Sequence, residues 1–371
     1  MIIFIVGVLL IAYSILKKDD YSPWIGMLFV LLIMGFQDGV RGDFFNYRYS
    51  FNTHSEYSVT VKENEFIFRW IYDNLRFIPF HLLFFILSSI QYVILCLLIR
   101  DYSNKSYKYS SAILFFFTLG CMLLQMKALR QGWAIEMAIL AFILLDKRRY
   151  IFSLLALIIM YGLHNSSQIM LPFYVLFYIY KYIYPRIKTF FNTKRQAPLK
   201  REKNDLHLEF ALLLTVICLI IYFYKKAFAF DIARILFLMD LGYTGYFENY
   251  NAGSMALWVL LGYMILAFFV SLYMFQERNK MKKTMALLCL FSYYIYTLVW
   301  GLGDQMRIAQ YFIVFSIVVY PNVALFVKRK YGKLASVIFL TFCVLFSMFF
   351  SIPPIFNTRG DMFGSYHFSF M

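Results

Sequence analysis

The chain has 371 residues, of which 62% are hydrophobic, 21% aromatic and only 15% charged, and its formal net charge is +16. Soluble globular proteins have about a quarter charged residues, and disordered chains have few aromatic residues, so the composition excludes both classes. A basic excess in so apolar a chain indicates nucleic acid, anionic lipid or the cytoplasmic loops of a membrane protein. The position of the charges along the chain decides among these.

The apolar segments predict membrane helices, each of which needs about 20 residues, with roughly 17 as the lower limit. A longer apolar stretch, 150–184, is interrupted by His164-Asn165-Ser166-Ser167 and predicts either one tilted helix or two short helices that meet there. The other segments that meet or approach this length are 1–16, 22–37, 77–99, 109–126, 128–145, 208–224, 255–275, 284–302, 307–327 and 333–352.

The basic residues favour two helices within 150–184. With that count, two thirds of the 36 Lys and Arg residues fall in alternate loops, which the positive-inside rule assigns to the cytoplasm. The sequence therefore predicts an all-α polytopic membrane protein with about 12 spans and both termini outside the cytoplasm. We expect one membrane domain, 1–371, with outer loops 38–76 and 225–254 and a basic cytoplasmic loop 181–207. The charge excess needs no nucleic-acid partner.

Motifs for nucleotides and metals are absent from the sequence. There is no P-loop, HExxH, CxxC or DxD pattern, and none of the five cysteines has a His or Cys partner at metal-ligand spacing. The predicted inner loops are basic and poor in acidic residues. We therefore expect no metal and no cofactor, and we expect any chemistry on the outer face.

The first predicted outer loop, 38–76, combines charged and aromatic residues. Gly42 permits a tight turn that places its neighbours at the membrane surface. Aromatic rings suit the C–H faces of sugars and carboxylates suit sugar hydroxyls, although a solvated loop with interfacial aromatic residues explains the composition equally well. The candidate residues in this loop are Arg41, Asp43, Tyr47, Tyr49, Glu65 and Trp70.

A second group of polar residues opens the span at 128–145. Arg130 and Gln131 begin this apolar helix, and Glu136 lies within it. A charged residue inside a span is costly and indicates function. The alternative is that Arg130 extends to the outer headgroups while Glu136 pairs with a neighbouring helix.

The third group is the polar interruption at His164. A neutral imidazole can act as a general base near pH 7, so His164 is the catalytic candidate. Ser166 and Ser167 are explained as well by capping of the second helix, because lipid cannot satisfy its first amides.

Four arginines from separate segments are predicted at the outer surface, where the positive-inside rule disfavours them. The planar guanidinium fork matches phosphate, so this set predicts a pyrophosphate-linked lipid as ligand. Arg307 has a competing interpretation as an ion pair with Asp304, and 231–254 is either a lid or an interfacial loop. The four are Arg41, Arg130, Arg234 and Arg307.

The order of these motifs resembles the EpsG family of polysaccharide polymerases, within the broader Wzy group of O-antigen and capsule polymerases. The chain departs from the usual R-x-x-x-G-x-D-Y pattern of the family, because its Arg and Gly are adjacent. The residues that carry the resemblance are Arg41, Gly42, Asp43, Tyr47, Glu65, Phe66, Arg130, Gln131, Ala134, His164, Asn165, Ser166, Arg307, Tyr311 and Phe312.

The resemblance implies polymerisation of undecaprenyl-diphosphate-linked oligosaccharide repeat units at the outer face of the bacterial inner membrane, without metal or nucleotide. The partners that it implies are this lipid-linked substrate and a flippase and chain-length regulator of the same pathway. On this basis we expect the four arginines to bind diphosphate. The catalytic candidates are His164, Asp43 and Glu65, and the sugar-binding candidates are Tyr47, Tyr49, Trp70, Gln131 and Tyr311.

Three other functions stay open on the sequence. A metal-dependent polytopic glycosyltransferase would use an acidic pair such as Glu63 and Glu65. A flippase for lipid-linked sugars also has about twelve spans, but it should carry charges deep in both halves. A membrane O-acetyltransferase could use His164 but would need an acyl donor from the cytoplasm.

Overall fold

The computed structural model describes residues 28, 31–32, 35–38, 43–53, 65–103, 128–185, 209, 211–224, 257–299, 306–356 and 367–368. In this part of the chain the fold is helical, as predicted, apart from two-residue strands β1 (Gln37–Asp38) and β2 (His367–Phe368), which pair antiparallel. The helices are α1 (Asp43–Thr53), α2 (Phe66–Asn74), α3 (Phe80–Tyr102), α4 (Leu129–Asp146), α5 (Tyr150–Leu163), α6 (Met170–Tyr178), α7 (Ala211–Tyr224), α8 (Leu257–Gln276), α9 (Lys280–Val299), α10 (Met306–Ile313), α11 (Ser316–Tyr331) and α12 (Lys333–Phe356).

Two helices among the described residues, α3 and α8, are long and apolar enough to cross a membrane. Helices α5 and α7 are also apolar but shorter. One face of α3 exposes Leu82, Ile86, Ile90 and Val93, which recur at helical spacing. Lipid accommodates such an apolar stripe and water does not, so this face indicates a membrane environment.

The predicted break within 150–184 is present. Helix α5 ends at Leu163, His164 is extended, and a 3-10 turn (Asn165–Ile169) leads into α6. The Ser167 hydroxyl donates to the Met160 carbonyl at 3.0 Å, and the Ser167 amide donates to the His164 carbonyl at 3.0 Å. The polar run thus satisfies the backbone where the helix stops.

Two differences from the sequence prediction concern helix boundaries. The predicted loop 38–76 contains the helices α1 and α2, and α2 buries Phe68, Ile71 and Tyr72 at the spacing of one helical face. The predicted span 307–327 is divided into α10 and α11, and Pro321 lies inside α11. The predicted segments 1–16, 109–126 and 225–254 and most of 181–207 lie outside the described residues, so the number of spans and the side of each terminus stay predictions.

The chain divides into two compact units. Unit 1 comprises Met1–Ser167 and Tyr320–Met371, and unit 2 comprises Gln168–Val319. In unit 2, α9 packs between α8 and α10. There the Tyr263 ring stacks on Tyr296 with 5.9 Å between ring centres.

Unit 1 is built around α4, which packs against α5 and α3. The Ser153 hydroxyl of α5 donates to the Ala141 carbonyl of α4 at 2.7 Å. At the end of α3, the Tyr102 hydroxyl donates to an Asp146 carboxylate oxygen at 2.8 Å, and the Asn322 side-chain amide donates to the Tyr102 carbonyl at 2.9 Å. These bonds join the ends of α3 and α4 to α11 inside one unit.

Candidate functional site

Residues from four separate segments of unit 1 meet in one cluster. Tyr47 comes from α1, Glu65 precedes α2, Arg130 lies in the first turn of α4, and His164 and Asn165 follow α5. We call these five residues the Glu65 cluster. Four of them are predicted site residues, and they lie up to 117 positions apart in the sequence, from Tyr47 to His164.

Glu65 is the centre of the cluster and is 2% exposed. One carboxylate oxygen accepts a hydrogen bond from Nη1 of Arg130. The other lies 3.1 Å from the Asn165 amide nitrogen, which donates to it, and 3.3 Å from Nδ1 of His164. A single buried carboxylate therefore holds both the cation and the imidazole.

Arg130 is 8% exposed and has further partners besides Glu65. Its Nε donates to the Tyr47 hydroxyl at 3.0 Å, and its guanidinium carbon lies 5.2 Å from the centre of the Phe68 ring. The positive pole of the α4 dipole disfavours a cation in this first turn, so the carboxylate compensates for both burial and position. Arg130 is thus held inside the protein and does not extend to the headgroups.

The packing of α2 on α5 brings Glu65 to His164. A Cβ atom at Gly162 would lie 2.5 Å from Cγ1 of Ile67 and 2.9 Å from Cζ of Phe66, so the start of α2 rests directly on this glycine. The Tyr72 hydroxyl donates to the Tyr47 carbonyl at 2.8 Å, which ties α2 to α1. The position of the carboxylate therefore depends on a residue without a side chain.

The ionisation of Glu65 follows from its neighbours. Burial would raise the pKa of its carboxyl, but the hydrogen bond from His164, the charges of Arg130 and His164 and the Asn165 amide together hold that pKa below its usual range. Glu65 is therefore an anion at neutral pH. An anion with a lowered pKa is a poor general base, and its place in the cluster suits it to orient other groups.

His164 is the more accessible member of the pair, with its side chain 20% exposed. Nδ1 faces both the Ser166 amide, at 3.4 Å, and the Glu65 carboxylate, at 3.3 Å. Because the carboxylate is ionised and is the shorter contact, we assign the proton of the neutral imidazole to Nδ1. The lone pair is then on Nε2, which is the nitrogen that can accept a proton. The Ser166 hydroxyl lies 3.5 Å from Nδ1, so it is not positioned to give its proton to Nε2.

The exposed aromatic candidates are Tyr49, which is 62% exposed, and Trp70, which is 56% exposed. Tyr47, Gln131 and Tyr311 are buried, and Tyr311 belongs to unit 2. Burial leaves Tyr47 no ring face for a sugar, because that ring packs against Phe68. Its contact with the guanidinium of Arg130 gives it a supporting position.

Other predicted residues have no described side chain. Arg41 and Arg234 lie outside the described residues. Asp43 begins α1 and Arg307 lies in α10 of unit 2, but the description of both stops at the backbone. Arg130 is thus the one arginine of the predicted diphosphate set whose contacts are described.

The sequence did not predict Gly162, Phe68 or the acceptance of the Asn165 amide by Glu65. A glycine inside an apolar helical run, two residues before His164, was the available signal, since such a glycine often marks a close approach. Within the described part of the chain, no three His, Cys, Asp or Glu side chains are grouped to hold a metal ion.

Comparison with known protein families matches residues 21–357 to the EpsG family. The chain belongs to the EpsG family. The match includes every residue of the Glu65 cluster, and membership indicates a polymerase-like function in polysaccharide biosynthesis. Together with the apolar helices, it indicates a membrane protein. No curated protein and no solved structure matches the chain.

Proposed function

We propose that this EpsG-family protein polymerises undecaprenyl-diphosphate-linked oligosaccharide repeat units at the outer face of the bacterial inner membrane. The growing glycan leaves its lipid diphosphate and is transferred to a sugar hydroxyl of the next lipid-linked unit. A flippase supplies the units and a chain-length regulator limits the product. The observation that carries the proposal is that Glu65 holds a histidine and an arginine together.

In this reaction His164 is the general base. Its Nε2 takes the proton of the acceptor hydroxyl as that oxygen bonds to the anomeric carbon and the bond from this carbon to the diphosphate oxygen breaks. Glu65 keeps the proton of the neutral ring on Nδ1 and stabilises the imidazolium that forms. Asp43 stays a second candidate for the general base.

Arg130 binds the departing diphosphate. Charge on the leaving oxygens increases in the transition state, and a guanidinium held beside them lowers the barrier more than it strengthens ground-state binding. The first turn of α4 adds backbone N–H groups, which suit an anion at a helix N-terminus. Arg41, Arg234 and Arg307 stay sequence-based candidates for the further positive charge that a diphosphate requires.

Of the two exposed rings, we assign the acceptor sugar to Trp70. Helices α1 and α2 pack through Phe51 and Tyr72, with 5.4 Å between ring centres. Tyr49 and Trp70 each lie two positions from these packing residues, or about 200° around the helix, so the two rings point away from each other.

Trp70 lies one turn beyond the start of α2, which is the end of that helix that meets His164. It follows Phe66 by four residues, which places both on one face, and Phe66 is a neighbour of Gly162 on α5. One helical turn is about 5.4 Å, close to the length of one sugar residue. A sugar on Trp70 would therefore lie about one residue from the reacting hydroxyl.

The test is polymerisation by the full chain in membranes supplied with lipid-linked repeat units, read as a ladder on a gel. We expect His164→Ala to reduce chain growth by about 10²–10⁴-fold and leave single repeat units. The matched control is Arg278→Ala, an exposed basic residue between α8 and α9 to which we assign no role. An unchanged ladder from His164→Ala protein that reaches the membrane would refute the proposal. In intact cells, loss of all surface sugar on deletion of the chain would indicate a flippase.

The sugar assignment is tested in the same assay. We expect Trp70→Ala to weaken acceptor use by about tenfold, which corresponds to about 1.4 kcal/mol. Tyr49→Ala is the matched control because that ring is equally exposed on the neighbouring helix. Equal losses in the two variants would contradict the assignment to Trp70.

A further inference from the structure

Two basic turns lie at the end of unit 1 where α3, α4 and α11 are joined. The first follows α4 and contains Lys147, Arg148 and Arg149, all exposed. The second ends α11 and contains Lys328, Arg329 and Lys330, also exposed. The hydrogen bonds of Tyr102 to Asp146 and from Asn322 connect the elements that carry these turns.

Each basic turn leads directly into an exposed apolar helix face. Ile151 and Phe152, just after the first turn, are 75% and 60% exposed. Leu334 and Ile338, just after the second, are 74% and 60% exposed. Basic residues followed at once by exposed apolar residues are the pattern of a helix that enters the hydrocarbon from the headgroup layer, so both turns lie at a membrane surface.

The two turns differ in how their backbone reverses. Gly332 has φ +92° in the second turn, where glycine is the ordinary residue. In the first turn Arg148 has φ 59°, and it is the one non-glycine residue with positive φ in the described part of the chain. Hydrogen bonds from the amides of Arg148 and Arg149 to the carbonyls of Leu145 and Leu144, at 3.0 and 2.8 Å, hold it there.

A strained backbone at an exposed residue needs a reason in the side chain. Glycine would fit this turn without strain, as it does at position 332, so an arginine in its place points to a use for the guanidinium. Lys147, the neighbour of Arg148, lies 2.5 Å from one carboxylate oxygen of Asp101, and Arg100 lies 2.8 Å from the other. Arg148 and Arg149 remain as exposed positive charges at headgroup level.

We propose that Arg148 and Arg149 form a binding site for the phosphate of an anionic phospholipid in the leaflet at this end of unit 1. The planar guanidinium fork binds two phosphate oxygens at once, whereas an ammonium group acts only as a point charge. Arg148 and Arg149 are adjacent and both exposed, so both guanidinium groups are accessible to one headgroup. This site is separate from the Glu65 cluster and does not depend on the proposed function.

The test compares the full chain in phosphatidylcholine vesicles with and without phosphatidylglycerol, and the measurement is the amount of phosphatidylglycerol retained by the protein after extraction. A basic residue near an anionic surface contributes about fivefold to affinity, so we expect Arg148→Gly to retain about fivefold less. Arg148→Asn should lose as much, because asparagine tolerates positive φ but carries no charge. Arg148→Lys should retain more phosphatidylglycerol than Arg148→Gly but less than the wild type.

Two results would overturn the proposal. The first is equal retention of phosphatidylglycerol by the wild type, Arg148→Gly and Arg148→Asn. The second is displacement of the bound lipid by millimolar inorganic phosphate, which would show that the site takes a soluble anion. Neither result would affect the ladder assay at the Glu65 cluster, so the two proposals fail independently.

Discussion

Helix α4 has an arginine near each end, and the two arginines lie in opposite surroundings. Arg130, in the first turn, is buried and held by Glu65 against the positive pole of the helix. Arg148, just past the last turn, is exposed, and the negative pole of the same helix favours its charge. For Arg130 the charge is costly, because it is buried at the positive pole. For Arg148 the charge is favourable, and only the positive φ of its backbone is costly.

The cost of Arg130 explains why several elements converge on it. A buried cation without a partner is strongly destabilising, so α4 can begin with this arginine only if another segment supplies an anion. That segment is the start of α2. Arg130 therefore requires a partner inside the protein, whereas the exposed Arg148 does not.

The largest effect should come from removing the anion. We expect Glu65→Ala to lower the free energy of unfolding in detergent micelles by about 3–5 kcal/mol, because it leaves Arg130 buried and unpaired. Chain growth should be lost as well. Asp73→Ala, an exposed carboxylate on the same helix, is the matched control and should change stability by less than about 0.5 kcal/mol.

The double variant Glu65→Ala/Arg130→Met sharpens this result. If the unpaired charge causes the loss, removing the charge should restore much of the stability but none of the activity. A Glu65→Ala protein as stable as the wild type would mean that Arg130 finds another anion.

The next effect concerns the packing that places Glu65. We expect Gly162→Ala to cost about 1–3 kcal/mol, because the new Cβ would overlap Ile67. Chain growth should fall with it, since the start of α2 moves away from His164. The double variant Gly162→Ala/Ile67→Ala removes the overlapping atom and should recover part of both. If the double variant recovers neither stability nor chain growth, overlap with Ile67 is not the cause of the loss.

At the other end of α4, substitution of the arginine should stabilise the protein. In phosphatidylcholine alone, Arg148→Gly should raise the free energy of unfolding by about 1 kcal/mol, because glycine adopts positive φ without strain. Gly332→Ala, at the corresponding turn after α11, should lower it by a similar amount. A destabilised Arg148→Gly protein would show that the arginine supports the fold itself.

The smallest effect is a dependence on pH. Because the pKa of Glu65 is lowered in the folded protein, its contribution to stability is fully present above the pKa of the unfolded chain, about 4.3, and is lost as pH falls through the folded pKa. The free energy of unfolding of the wild type should therefore fall more steeply below about pH 4.3 than that of Glu65→Gln. An equal dependence of the free energy of unfolding on pH in the two proteins would contradict the lowered pKa of Glu65.

The sequence predicted each polar group of the cluster from a local anomaly: a charge that opens an apolar helix at Arg130, and a histidine that interrupts one at His164. It could not predict that both share Glu65. That pairing depends on α2 resting on Gly162, a contact between segments about 100 residues apart. No local pattern contains such information.

The helix pair α1 and α2 escaped prediction for a different reason. Both are short, and their polar and aromatic residues resemble those of an interfacial loop, so the apolar face of α2 was not recognised as helical. The burial of Tyr47 follows from that pair. The interruption at His164 was predictable because a polar run inside a membrane helix is costly unless it satisfies freed backbone groups or lines a cavity.

The shared carboxylate has a consequence for the order of events. While Glu65 neutralises Arg130, only part of its charge acts on His164. If a lipid diphosphate binds the guanidinium, as proposed, the carboxylate is left with the imidazole as its charged partner in the cluster. Binding of the donor would thus prepare His164 to take the proton of the acceptor. Without bound donor, the acceptor would not be deprotonated. Initial rates with each substrate varied in turn should show the donor entering first.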